Sequence, residues 1–75
     1  MKHLDYHFLK YNLSAGPRWV GIAWDNNGSG LISTKDHASY TEAREELGNA
    51  AEKFDCTLKY FQGEFEVGSN GIYLT

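Results

Sequence analysis

The chain has one cysteine, one proline, one methionine and no apolar run approaching the roughly 18 residues that a membrane-spanning helix needs. Each shortage excludes something. A lone Cys56 makes no internal disulfide, so a domain this small is expected to be held by its core alone, which suits a reducing, cytoplasmic setting. The start Met1-Lys2-His3-Leu4-Asp5 places an acid where a secretion signal is continuously apolar. Asn12-Leu13-Ser14, formally a glycosylation sequon, is read as chance. Basic residues are also scarce from residue 36 onward, where Arg44, Lys53 and Lys59 face eight acids and leave a local charge of −5. Residues 1–35 carry +2, so the whole chain stands at −3. That balance argues against direct nucleic-acid binding, which needs clustered cations, unless Lys2, Lys10, Arg18 and Lys35 gather on one sheet face.

What is present is a packed domain: 41% hydrophobic and 15% aromatic residues in a chain of 75. Surface scaling gives roughly 62% burial at this length, enough for a single domain over residues 1–75 with one thin core. An enclosed substrate cleft of several hundred cubic ångströms is hard to cut into such a body, whereas an interface of about 800 Å² fits on it. The arithmetic favours binding over catalysis.

Hydrophobic periodicity predicts the elements. His3 to Tyr11 alternates as a half-buried strand, Leu4, Tyr6 and Phe8 on one face and Asp5 and His7 on the other, although Leu4, Phe8 and Tyr11 also fit a helical stripe. Ser14-Ala15-Gly16-Pro17 breaks it. Arg18 to Trp24 reads as a second strand, with Val20, Ile22 and Trp24 opposite Trp19, Gly21 and Ala23. Asn26-Asn27-Gly28-Ser29-Gly30 is a turn, and Leu31 to Thr34 returns as a third strand. Ser39-Tyr40-Thr41-Glu42 has the spacing of a capping box. It opens a helix over about 40–54, whose stripe of Tyr40, Ala43, Leu47, Ala50, Ala51 and Phe54 lies on the sheet. Thr57 to Phe61 resumes β character, Phe65 and Val67 alternate with Glu64 and Glu66, and Gly63 is either a turn or a bulge. Gly68-Ser69-Asn70-Gly71 turns into a last strand, Ile72 to Leu74. The expected fold is α+β: a mainly antiparallel sheet in β-β-β-α-β-β order with one helix packed on one face.

Candidate chemistry is thin. His3 and His7 are a metal-ligand pair only on a helix; on a strand they stand about 13 Å apart. Asp25-x-Asn27-x-Ser29-Gly30-x-Ile32-x-x-x-Asp36 matches the spacing of a calcium loop, but the segment Gly16 to Trp24 before it carries glycines and β-formers where a helix should enter. A hairpin turn explains the same residues, and at most a weak calcium loop remains as a third reading. Ser14, Ser29, Ser33, Ser39 and Ser69 sit at turns or caps without a nucleophile elbow. Cys56 follows the helix C-terminus, whose negative end disfavours a thiolate. Gly28-Ser29-Gly30 lacks the Gly-Lys-Ser/Thr of a phosphate loop. No cofactor, metal or catalytic residue is assigned, and the chain is read as not an enzyme.

Charge carries the positive argument. Glu42, Glu45, Glu46, Asn49, Glu52 and Lys53 project opposite the apolar stripe, and within residues 42–55 no acid has Lys or Arg three or four positions away. A helix tuned for stability alone interleaves lysines. The plain alternative is that these acids complement the helix dipole and keep the protein soluble. The functional reading is an acidic ridge of Glu42, Glu45, Glu46, Asn49 and Glu52, extended by Glu64 and Glu66, that meets a basic surface on another protein. Such surfaces usually serve nucleic acid, so the domain competes with DNA or RNA for the site. In size, acidity and α+β make-up the chain looks like the small inhibitors that phages encode against host nucleases and CRISPR complexes, a likeness that rests on no motif.

A second surface is an exposed aromatic patch of Trp19 with Tyr11 and Leu9, since aromatics on a sheet stack RNA bases. The β-β-β-α-β order with Tyr40-Thr41-Glu42-Ala43 at the helix start is loosely similar to HicB-type antitoxin domains over about residues 6–54, without the DNA-binding segment that follows in that family. The resemblance implies an antitoxin-like role, sequestering an RNA-cleaving toxin, while the aromatic face is what suggests RNA binding. Oligomeric state stays open, an exposed end strand being able to pair with its twofold mate.

Overall fold

A computed structural model describes residues 2–27, 30–68 and 71–74. Along the chain run β1 (Lys2–Leu13), β2 (Gly16–Trp24), β3 (Leu31–Ser33), α1 (Tyr40–Lys53), β4 (Cys56–Gly68) and β5 (Gly71–Leu74). In space the strands lie in the order β3-β2-β1-β4-β5. The fold is α+β with one helix, but the sheet is mixed. β1 pairs antiparallel with β2 and parallel with β4, which corrects the expectation of a mainly antiparallel sheet. The physical reason is the crossover: a chain that passes over one face as α1 returns in the direction it left, so β4 enters beside β1 pointing the same way.

β1 is a strand throughout, and its alternation sorts Leu4, Tyr6 and Phe8 to the helix side and Asp5, His7, Leu9 and Tyr11 to the other. Antiparallel register then places Ala23, Gly21 and Trp19 of β2 beside Tyr6, Phe8 and Lys10. The small side of β2 therefore faces α1. A Cβ on Gly21 would lie 2.8 Å from Phe8 Cε1 and 3.0 Å from Leu47 Cδ2, so the missing side chain is what lets the helix seat on the sheet. One core cluster results: Leu4, Phe8, Ala23, Ala43, Leu47 and Ala51. Phe54, expected in this stripe, caps the helix instead and is 68% exposed. Asp55 turns the chain with φ 57°, a left-handed conformation that Asp tolerates better than bulkier residues.

Ser39 caps α1 as its spacing predicts, its hydroxyl accepting from the Glu42 N–H at 3.2 Å. Thr34 prolongs the β2–β3 pairing, donating to the Gly21 carbonyl at 2.9 Å and accepting the Gly21 N–H on Oγ1 at 3.0 Å. Asp25 N–H to Gly30 carbonyl closes the β2–β3 connection at 3.3 Å, while Gly28 and Ser29 lie outside the described residues. Ser69 and Asn70 of the last expected turn also lie outside them, with Gly68 and Gly71 paired on either side.

β4 carries two irregularities. Against β1 its register jumps between Leu58 and Tyr60 and again between Phe61 and Glu64, so Lys59 and then one residue of the Gln62-Gly63 pair are supernumerary. Gly63, with φ 116°, sits in the second bulge and makes no turn. Two one-residue insertions restore parity. Glu64 and Glu66 fall on the helix side beside Phe8 and Lys10, and Phe65 and Val67 fall on the opposite face beside Leu9 and Tyr11.

Candidate functional site

Helical spacing puts Glu42, Glu45, Asn49 and Glu52 in one row along α1. Glu45, Asn49 and Glu52 border an open groove of about 540 Å³ between helix and sheet, together with Arg44, Tyr40, Tyr6 and Leu58. Glu64 and Glu66 lie beyond the helix N-terminal end in a second recess with Lys10, Trp19, Phe8 and the same Tyr40. The acids thus flank Tyr40 from two sides and do not extend in one line. Burial, and next the carboxylate of Glu64, raise the Tyr40 hydroxyl above its ordinary value.

Glu46 leaves the ridge. Its Oε1 lies 2.5 Å from His37 Nε2 and its Oε2 accepts the Lys35 N–H at 3.3 Å. These contacts, the hydrogen bond to His37 first, hold its carboxyl below the ordinary glutamate range. Glu42 shares that histidine, 3.5 Å from His37 Nδ1, and also meets the Ser39 hydroxyl at 3.3 Å. His37 itself is fixed by backbone exchange with Trp19, 2.8 and 2.9 Å, on the strand-like approach to the helix. Composition and periodicity do not single out His37. The signal was present: Glu42 and Glu46 are one turn apart, and a histidine two residues before the cap enters at the height of that turn. No helix carboxylate forms an ion pair with Lys or Arg among the described residues.

The aromatic patch does not assemble. Trp19 pairs with Lys10, whose ammonium lies 5.5 Å from the indole centroid on the helix side, whereas Tyr11 and Leu9 belong to the opposite face. Odd residues of β1 and odd residues of β2 point to opposite sides in this register, so Trp19 and Tyr11, one step apart in the ladder, face away from each other. The four early cations do not gather either. Lys2 meets Asp25 at 3.2 Å at one end of the sheet, Lys10 covers Trp19 near the other, and Arg18 meets Asp36 at 3.6 Å on the far face.

These ion pairs also occupy the first and last ligands of the calcium-loop spacing. Asp25 further accepts the Asn27 N–H at 3.1 Å in a local turn, Ile32 packs against the core, Ser29 lies outside the described residues, and the segment is flanked by strands. His3 and His7 share a strand face four residues apart, too distant to hold one ion. Cys56 Sγ donates to the Phe54 carbonyl at 3.3 Å beside an open, mostly apolar cleft of about 330 Å³ under the helix C-terminus. Among the described residues no three His, Cys, Asp or Glu side chains are grouped to hold a metal ion, and no helix is long and apolar enough to cross a membrane.

Fold and surface define an α+β domain with one helix over a mixed five-stranded sheet, acidic on the helix side and apolar on the other. No protein-family model matches the chain, and neither a curated protein nor a solved structure is similar to it.

Proposed function

We propose that this chain is a non-catalytic protein-binding module whose helix side docks on a basic surface of another protein. The observation that supports the reading is the row Glu42, Glu45, Asn49 and Glu52, whose carboxylates meet no Lys or Arg in ion-pair geometry among the described residues. Carboxylates left without fixed counter-ions keep their field in solution, steering a cationic partner and setting its orientation. Glu64 and Glu66, across Tyr40, widen the surface beyond one helix. Tyr40 and Tyr6, on the groove floor, supply the apolar centre that such docking needs. The partner class that fits is a nucleic-acid-binding protein whose cationic groove the domain fills, as small phage-type inhibitors of nucleases or CRISPR complexes do. The RNA-stacking reading loses its aromatic patch with the separation of Trp19 from Tyr11.

The test is affinity capture from host lysate with wild type beside Glu45→Lys/Glu52→Lys. Expected are proteins held by wild type, released by salt near 0.5 M, where screening shortens to about 4–5 Å, displaced by duplex DNA or RNA, and not held by the variant. Equal capture by a folded variant overturns the reading.

A further inference from the structure

The sheet face turned away from α1 carries no helix, yet it is built as an interior. Register places Val20, Ile22 and Trp24 of β2, His7 and Leu9 of β1, and Phe65 of β4 upon it. His7 lies edge-on between Trp24 and Phe65, centroids 4.9 and 5.3 Å away, so a continuous band crosses three strands. Leu9 is 7% exposed, paired between Val20 and Phe65. Of the charged residues in the strands, register turns only Asp5 and Arg18 to this side, with Lys59 in a bulge beside Tyr60. Asp5 is buried and accepts from Gln62 Nε2 at 3.0 Å, and Arg18 is drawn to Asp36. An apolar centre with a sparse polar rim is the anatomy of an interface.

We infer that this face is the isologous interface of a twofold dimer, two copies of the chain packing sheet on sheet with their helices outward. A sheet with one solvated face alternates apolar and polar residues, whereas here both faces are apolar, which calls for a covering layer on each. The area is sufficient. Strands at about 4.8 Å spacing and residues at about 3.3 Å give the 34 residues of β2, β1 and β4 a footprint of roughly 540 Å², and the seven residues of the flanking strands raise it to roughly 650 Å². Two copies then bury about 1,300 Å² at full overlap, just above the lower bound of stable interfaces. Charge selects the same geometry, because a chain of net charge −3 meets its twin most cheaply through the one face that is nearly neutral, leaving the acidic helices on opposite outer sides. Pairing by strand edges is the weaker option, since the edge strands Leu31–Ser33 and Gly71–Leu74 are only three and four residues long.

The test is sedimentation equilibrium of the full chain from about 1 to about 200 µM, spanning the range in which a modest interface associates. Expected is a species of twice the 8.5 kDa chain mass, with association weakened at least tenfold by Ile22→Glu or Val20→Lys in proteins that retain wild-type circular dichroism. Carbene footprinting of the wild type at both ends of that range needs no substitution. Expected is protection of Val20, Ile22 and Phe65 at high concentration. A wild type that stays monomeric, a dimer unaffected by both face variants, or protection confined to the helix side or the edges overturns the inference. It stands apart from the acidic-surface reading: Glu45→Lys/Glu52→Lys leaves the dimer mass unchanged.

Discussion

Two titrating side chains respond to acid in different windows, and each response has a separate cause. His7, packed between Trp24 and Phe65 with Ile22 and Gln62 on the neighbouring strands, is held below its ordinary value by burial. Asp5, two positions along the strand, is engaged by Gln62. The unfolded chain therefore takes up a proton first, and stability falls as pH drops below about 6.5, continuing until the folded histidine also titrates. Glu46 acts lower. Its depressed carboxyl stabilises the fold above the unfolded glutamate value near 4.3, and that contribution is lost as pH falls through the folded value. Urea midpoints between pH 8 and pH 3 are expected to decline in two stages. His7→Phe removes the upper stage and Glu46→Gln the lower. A single decline shared by all three proteins contradicts the assignment.

At the scale of elements, the bulge at Gly63 absorbs an extra residue of β4 that would otherwise exchange the faces beyond it. Deleting Gly63 removes the supernumerary residue, so Gln62 stands opposite His7, Glu64 stays beside Phe8, and the faces beyond keep their residues. The deletion is therefore expected to cost under about 1 kcal/mol, whereas Gly63→Ala, which keeps the bulge, costs about 1–3 kcal/mol for its positive-φ backbone. Denaturant unfolding measures both, and a deletion that costs more than the substitution refutes the register. The local elements were legible because their signals are local: alternation in β1 and β2, the Ser39 cap, and the small residues Ala43 and Ala51 on the helix stripe. The nature of Gly63 was not, because a bulge exists only relative to a partner strand, and that partner was some 55 positions away. The same holds for the site. The acids of α1 were readable as a row, but the diversion of Glu46 to His37 and the parting of Trp19 from Tyr11 depend on register, which composition and periodicity do not encode.

For the molecule as a whole, the thin core makes single residues matter. Leu47 and Phe8 are the only large side chains almost wholly enclosed among the described residues, the latter 1% exposed. Leu47→Ala is expected to cost about 2–5 kcal/mol out of a total near 4–11 kcal/mol for this length, visible as a large drop in thermal midpoint. A midpoint lowered by only a degree or two contradicts the assignment of the core to this contact.

The parallel seam between β1 and β4 also orders events in time. Lys2 finds its partner only at Cys56, so the central strand emerges well ahead of β4 and waits, hydrogen-bonded on its β2 side alone, until about 54 further residues have followed. Closing so long a loop before any reward from the contact is a slow step, placing this domain among the tardier folders of its size despite its helix. Until that closure, the unsatisfied flank of β1 is the part of the nascent chain most in need of shelter.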